Sequence, residues 1–217
     1  MIELPLFPLN TVLFPGTPIQ LHIFEERYKR MISICLTTRQ PFGVVMIRRG
    51  AEALGALADP YSIGCSAQII QLQRLEEGKM NLLAVGLERF RILSLDKHAQ
   101  PYLVGYVEPY PLVDSNPADL KASEVKLRQW VRRYITALSE ANAGQVDMEE
   151  MPGDTLEFLY ASAALLQISP QDKQELLTKE TAIDLLQGVI TLYRREVALT
   201  GSIFSPGPAY QGAFSPN

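Results

Sequence analysis

Four prolines near the start of the chain restrict how its first strand can be placed. Pro5, Pro8, Pro15 and Pro18 lie close together in the sequence. Proline has no backbone N–H, so it leaves a gap in the hydrogen-bond ladder of a central strand. We therefore expect an edge strand and a rigid turn at Pro15-Gly16, a scaffold feature rather than a reactive loop.

The composition suits a protein with a buried core and argues against nucleic-acid binding driven by phosphate charge. Hydrophobic residues make up 47% of the 217 residues, and the net charge is −4 with a pI of about 5.3. Binding to nucleic acid normally requires clustered basic residues. Residues 1–113 carry 11 basic and 10 acidic side chains, whereas residues 114–217 carry 9 and 14. This change in charge supports a domain boundary near Asp114.

The first half of the chain has the pattern of short strands separated by close turns. A polar turn at residues 76–79 predicts a β-hairpin. Because no strand–helix–strand alternation is present, we expect a mainly antiparallel, barrel-like sheet. One helix is predicted from the helical spacing of Phe24, Tyr28, Met31 and Cys35. The predicted strands are residues 18–23, 42–47, 66–75, 80–85, 87–95 and 102–107.

The second half of the chain has the 3.6-residue period of helices. Asn116-Pro117 and Ser169-Pro170 each place a capping side chain before a proline, which is typical of a helix start. Residues 155–166 form a further apolar segment, and residues 141–153 are expected to be a loop. Two stripes define the longer helices: Leu127, Val131, Tyr134, Ile135 and Leu138, and then Ala182, Leu185, Leu186, Val189, Tyr193 and Val197. The predicted fold class is therefore α+β.

The last residues, 201–217, are rich in glycine, proline, serine and aromatic residues. Such a composition is typical of a disordered end. However, Phe204, Tyr210 and Phe214 are spaced like anchors, so an extended strap that docks on the body is the alternative.

No catalytic or metal-binding motif is recognisable. A phosphate-binding loop requires lysine and a hydroxyl after its second glycine, but Ala56 and Leu57 follow Gly55. The two histidines and two cysteines lack metal-ligand spacing, and the cysteines are predicted to be buried thiols. We therefore expect no enzymatic activity and no cofactor. With no signal peptide and no apolar segment of membrane-spanning length, the chain is predicted to be cytoplasmic, without a membrane partner.

Arg89-Phe90-Arg91 is the nearest approach to a basic-aromatic patch, and it keeps RNA binding open as a less favoured alternative. The simpler interpretation is a strand with a buried phenylalanine between two exposed or ion-paired arginines. If either arginine is buried, we expect an acidic partner such as Glu25 or Glu88.

Several segments of the chain occur in a characteristic order: LPLFPLNTVLFPG, LHIFEERYKRM, FGVVMI, GCSAQIIQLQRLEEGKMNLLAVGLERFRIL and YLVGYVE. With KQELLTKETAIDLLQGVITLYRRE, they resemble the N-terminal, substrate-binding domain of Lon proteases over about residues 1–199. The resemblance implies a PUA-like β pseudo-barrel with one helix (1–113), a C-terminal α-helical bundle (114–200) and a tail (201–217). The ATPase and peptidase domains of Lon are absent from this sequence.

The resemblance also implies a role in binding unfolded or degradation-marked proteins on behalf of a protease. For this chain, three forms of that role are open: an adaptor for an ATP-dependent protease, a holdase-like binder or an interaction module. Candidate substrate-binding residues are Phe7, Leu13, Phe14 and Phe24, and a groove between barrel and bundle is the expected place. A small-molecule sensor remains a further alternative, and would require a polar pocket around His22, Glu25 and Tyr28.

Overall fold

In the part of the chain that the structure describes, a seven-stranded sheet is followed by four α-helices, and a further α-helix lies within the sheet region. The computed structural model describes residues 2–52, 57–113, 116–140 and 148–204. The strands are β1 (Ile2–Leu9), β2 (Pro18–Ile23), β3 (Phe42–Arg49), β4 (Asp59–Pro60), β5 (Ile63–Arg74), β6 (Met80–Asp96) and β7 (Leu103–Pro109). The helices are α1 (Glu26–Thr38), α2 (Pro117–Glu140), α3 (Thr155–Leu165), α4 (Pro170–Leu177) and α5 (Ala182–Phe204). This architecture confirms the α+β class.

Five of the seven strands pair side by side to form a closed ring, in the order β1, β7, β6, β5 and β3. Every pairing in this ring is antiparallel except the one that closes it, which joins β1 and β3 in parallel. The predicted antiparallel strands are therefore present, except that residues 80–85 and 87–95 form the single strand β6. The 76–79 turn joins β5 to β6 as predicted and contains a single 3₁₀ turn.

The prediction that the proline-bearing segment is an edge strand is wrong for β1. Residues 2–6 pair with β7 and residues 6–9 pair with β3, so only Leu6 is paired on both sides. Pro5 and Pro8 therefore each have one neighbouring strand instead of two, which is the situation that proline tolerates at an edge. The predicted turn at Pro15-Gly16 is present, with Gly16 at φ +74°.

The helices begin where the sequence predicts because local side chains cap them. The Asn116 side chain accepts from the Ala118 N–H, and Ser169 Oγ accepts from the Asp172 N–H. Each satisfies a backbone donor that the first turn leaves free. The predicted α2 stripe is buried, and so is the α5 stripe except for half-buried Val197. Among the described residues, no helix has the length and apolar character needed to span a membrane.

A carboxylate joins α2 to α3 inside the helical half. Glu124 Oε1 accepts from Arg128 Nε at 2.7 Å, and Oε2 accepts from Lys121 Nζ at 2.9 Å and from Thr155 Oγ1 at 2.6 Å. Burial on its own raises the pKa of Glu124, but these hydrogen bonds outweigh it and lower the pKa to about 2. Glu124 is therefore ionised across the physiological range.

The sheet and the helices meet at the C-terminal end of α4, where Arg89 of β6 is buried. Its Nη1 donates to the carbonyls of Leu177 at 2.7 Å and Lys179 at 2.6 Å. Tyr110 Oη donates to the intervening carbonyl of Thr178, and the Arg89 guanidinium lies 4.8 Å from the Tyr110 ring centroid. Carbonyls at a helix C-terminus carry partial negative charge, so they take the place of an acidic partner.

This arrangement corrects two predictions about Arg89-Phe90-Arg91. The buried Arg89 contacts backbone carbonyls and an aromatic ring, not Glu25 or Glu88. Phe90 is buried against strands of the ring, and Arg91 lies partly exposed, 3.6 Å from Glu108. The three residues therefore do not form an exposed basic-aromatic patch.

Candidate peptide-binding face

The four side chains predicted to bind substrate do not share one surface. Phe7, Leu13 and Phe14 are buried, with at most 6% of each exposed, whereas Phe24 is 43% exposed. Phe7 stacks on Tyr28 at 4.2 Å between centroids, and Phe14 packs in the helical core. The prediction that these three residues form an exposed patch is therefore wrong. Their side chains fill the space between the sheet and its helices.

Phe24 is exposed because it precedes α1 instead of lying in its apolar stripe. The helix begins at Glu26, with Glu25 at the capping position, so Phe24 belongs to the connection from β2. Its ring stacks on the ring of His22, with centroids 6.0 Å apart and an interplanar angle of 26°. Phe24 therefore extends an aromatic surface from the end of β2.

Three strands beside Phe24 present a polar but uncharged surface. In the register of β2, β6 and β5, Gln20 lies opposite Leu83 and Leu83 opposite Gln71, while His22 lies opposite Asn81 and Asn81 opposite Gln73. Directly opposed residues point to the same side of a sheet. We call this surface the amide face, and its members are Gln20, His22, Gln71, Gln73, Asn81 and Leu83.

The other side of the same three strands packs on the core. Leu21, Leu82 and Leu72 are opposed in the neighbouring row, and they contact the apolar cluster that contains α1. This contact fixes which side faces outward, since a shift of one residue would bury the glutamines. An open cavity of about 510 Å³ lies over the amide face.

The amide face is rich in hydrogen-bonding groups that the protein itself leaves unused. Within the described parts of the chain, the side chains of Gln20, Gln71 and Gln73 make no hydrogen bond, and all three are exposed. His22 Nδ1 and Asn81 Oδ1 are 2.7 Å apart, so these two side chains hold one another in place. Each amide offers both a donor and an acceptor, as a peptide group does.

The outer edge of β2 is also open. Among the described residues β2 pairs with β6 alone, and it has no charged side chain along its length. Its single proline, Pro18, is at the first position. Natural edge strands are usually protected by charges, bulges or prolines, and β2 has little of this protection.

A second, smaller cleft is apolar and belongs to the strand ring. It has a volume of about 80 Å³ and includes Leu4, Phe90 and Val107, with Ile2 and Leu87 half exposed beside them. Leu87 is 48% exposed, close to the 43% of Phe24. The cleft therefore provides an apolar surface against which the contribution of Phe24 can be compared.

The three residues expected around a small-molecule pocket are each engaged with other side chains. His22 contacts Asn81, Glu25 pairs with Arg27 at 2.9 Å, and Tyr28 is buried against Phe7. The alternative sensor site therefore does not assemble at His22, Glu25 and Tyr28.

The thiols are poorly suited to nucleophilic chemistry. Cys35 and Cys65 are both buried and unpaired, as predicted. Burial raises the pKa of Cys35 to about 11 and that of Cys65 to about 12, so both are protonated at neutral pH. In the described ranges, no three His, Cys, Asp or Glu side chains are grouped to hold a metal ion.

Residues 3–195 match the family described as the ATP-dependent protease La (LON) substrate-binding domain. The chain belongs to this family, and the family predicted from the sequence segments is confirmed. It is 30% identical over 179 residues to Lon protease 2 of Myxococcus xanthus and 29% identical over 181 residues to Lon protease of Anaeromyxobacter dehalogenans. Each alignment covers 80% of this chain but 21% of the relative, so the chain spans about a fifth of these proteases.

Solved structures agree with this assignment. A Lon N-terminal domain protein from Xanthomonas campestris is 25% identical, with a TM-score of 0.62, and the match covers 88% of this chain and 98% of that one. The N-terminal domain of the Mycobacterium avium complex Lon protease shares the fold at 14% identity, with a TM-score of 0.66 over 89% and 98% of the two chains. The family thus defines a substrate-recognition module.

The amide face was not identified from the sequence. The signal that could have found it is the placement of uncharged polar residues at alternate positions in two strands, Gln20 and His22 and then Gln71 and Gln73, with Asn81 at the start of the third. Alternation marks which residues share a face, but only the register shows that three faces join.

Proposed function

We propose that this chain is a non-enzymatic module that captures extended, apolar segments of unfolded or degradation-marked proteins on its amide face. The observation that carries the proposal is the set of unpartnered glutamine amides beside the exposed Phe24. Membership of the LON substrate-binding family supports the same role. In this proposal the module acts as an adaptor for an ATP-dependent protease, as the resemblance implies.

The spacing of the amides fits an extended peptide. Side chains two residues apart on a strand, such as Gln71 and Gln73, lie about 6.5–7 Å apart, which is also the two-residue repeat of an extended client. Their amides can therefore bond to every second peptide group of one client strand. Because peptide groups are common to every sequence, this contact tolerates many clients.

The aromatic surface adds the preference for apolar segments. A client side chain that packs on Phe24 and His22 removes apolar surface from water, and this burial is favourable by about 25 cal/mol per Å². A native client presents neither a free backbone nor its core side chains. We therefore expect selection for unfolded proteins.

An alternative site between the two halves of the chain has less support. Arg89 and Tyr110 contact the end of α4 there, and Gln174 Nε2 donates to the Ile63 carbonyl at 3.0 Å. These contacts occupy the junction where a groove was expected. RNA binding has no comparable support, because Arg89 is buried and Arg91 lies beside Glu108.

We also propose the finer fold assignment that the resemblance implies. The closed strand ring supports a PUA-like pseudo-barrel, and the common apolar core of α2 to α5 supports a helical bundle. The proposed boundaries are residues 1–113 and 114–200; Asp114 itself lies outside the described residues. The predicted tail begins at residue 201, but residues 201–204 belong to α5, and the remainder of the predicted strap lies outside the described residues.

The test is fluorescence anisotropy of a labelled model protein that reduction and alkylation keep unfolded, with the same protein in native form for comparison. We expect micromolar-range binding of the unfolded form alone, weakened about fivefold to tenfold by Phe24→Ser, the factor expected from losing most of one aromatic contact. A double Gln71→Ala, Gln73→Ala variant should also weaken binding.

Leu87→Ser is the matched control, because it removes a similarly exposed apolar side chain from the smaller cleft. It should leave binding unchanged. Equal binding of native and unfolded protein, or an equal loss in the Leu87→Ser and Phe24→Ser variants, would refute the proposal. Tight, steeply salt-dependent binding of RNA would favour the nucleic-acid alternative.

A further inference from the structure

The chain has a single tryptophan, and two arginines flank it on the helical half. Trp130 lies on α2, half buried against the helical core. The guanidinium of Arg133, one turn later on α2, is 4.9 Å from its ring centroid, and that of Arg194 on α5 is 5.9 Å away. We call Trp130, Arg133 and Arg194 the Arg–Trp face.

The two arginines carry charges that the described residues leave uncompensated. Arg133 and Arg194 are exposed, and within the described ranges neither has a carboxylate at ion-pair distance. Nearby Arg128 and Arg195 do have one, at 2.7 Å from Glu124 and 2.8 Å from Asp172. Two unpaired cations together are unexpected in a half of the chain with an excess of acidic residues.

The stacking prepares these cations for a partner. A guanidinium held over an aromatic ring has lost part of its conformational freedom, so less is lost when it forms new hydrogen bonds. Its N–H groups lie in the guanidinium plane, directed away from the central carbon, and a pair of them matches the two oxygens of a carboxylate. An exposed pair of such groups is therefore complementary to closely spaced Asp or Glu side chains.

We propose that the Arg–Trp face docks an acidic segment of a partner protein, separately from the clients held by the amide face. Carboxylates of the segment pair with Arg133 and Arg194, and an adjacent aliphatic side chain contacts the exposed part of Trp130. Nucleic acid fits less well, since the arginines occupy the ring faces on which a base would stack.

Trp130 is itself the reporter for the test, because it is the chain's only tryptophan. The full chain is titrated at low salt with a twelve-residue peptide of alternating Glu and Leu, and emission is followed with excitation selective for tryptophan. We expect a saturable change in emission that a peptide of alternating Gln and Leu does not produce. The affinity should fall with added salt, as charge pairing requires.

The matched variants are Arg133→Gln, Arg194→Gln and Arg132→Gln. Arg132 is also exposed and lies on the same helix, but its guanidinium makes no contact with Trp130. Each of the first two changes should weaken binding about fivefold or more, the loss expected for one charge-assisted contact, and Arg132→Gln should change it less than twofold. Arg133→Lys keeps the positive charge but loses the paired, coplanar N–H donors of the guanidinium. Its affinity for the acidic peptide should therefore lie between those of the unaltered chain and of Arg133→Gln.

Three results would overturn the proposal: no change in emission with the acidic peptide, equal weakening by all three glutamine variants, or tighter binding of a single-stranded RNA of the same charge. Unfolding curves of the variants should match that of the unaltered chain, since the substituted side chains are exposed. Unfolded-client binding to the amide face is measured separately, so either proposal can fail alone.

Discussion

Replacing Arg89 by methionine tests whether a buried guanidinium joins the sheet to the helices. The change removes two charge-assisted hydrogen bonds, to the carbonyls of Leu177 and Lys179 at the end of α4 and just beyond it. Each is worth about 1.5–3 kcal/mol, and their loss leaves two carbonyls without this donor. A second effect of the substitution opposes this loss of stability. Nε and Nη2 of Arg89 are buried and donate to no described atom, so their removal relieves a cost to the folded state. Burial also lowers the pKa of Arg89, which shows that the charged form is penalised by its surroundings.

Removing a penalised charge restores part of the lost stability, as for buried ion pairs replaced by apolar residues. We therefore expect a net loss of about 2 kcal/mol in the free energy of unfolding, or about 4–8 °C in Tm for a chain of this size. Urea unfolding followed by circular dichroism measures this loss. Arg91→Met is the matched control: its side chain is 42% exposed and 3.6 Å from Glu108, so its loss should stay under about 1 kcal/mol. An Arg89→Met variant as stable as the unaltered chain would refute the reasoning.

Two further predictions concern stability within each half of the chain. The folded-state pKa of Glu124 is lowered to about 2, so its stabilisation is present above the usual carboxyl pKa and is lost as the pH falls toward 2. The Glu124→Gln variant should therefore be less stable than the unaltered chain by about 2–3 kcal/mol at pH 7, and this difference should shrink below about pH 4.5. Urea unfolding at a series of pH values measures the difference. A loss of stability that does not change with pH would contradict the prediction. In the sheet, a Cβ at Gly86 would lie 2.3 Å from the backbone oxygen of Phe14, whereas one at Gly153 has no atom within 4 Å. Gly86→Ala should lower Tm by several degrees and Gly153→Ala should not; equal effects would show that Gly86 is not tightly packed.

Features that depend on nearby residues could be predicted from the sequence. The caps at Asn116 and Ser169 act within three residues, and the α2 stripe repeats every three or four, so both follow from local order. The β5–β6 hairpin is equally local. The α+β class and the positions at which the helices begin could therefore be predicted from local patterns.

Features that depend on distant pairings could not be predicted. The parallel contact that closes the ring joins β1 to β3 across more than thirty residues, and no local pattern specifies it. The amide face requires Gln20, Leu83 and Gln71 to fall in one row, which only the register of three strands decides. The carbonyl partners of Arg89 lie at the end of α4 and just beyond it, 88 and 90 residues away.

The most direct test of capture on the amide face is hydrogen exchange measured by mass spectrometry, with and without the unfolded model protein. We expect slower exchange in β2 and in the facing parts of β5 and β6, because a bound segment covers the open edge and the glutamine rows. Helices α2 to α5 should exchange at unchanged rates. Protection confined to the helices or to the junction at Arg89, with none in β2, would contradict binding at this face.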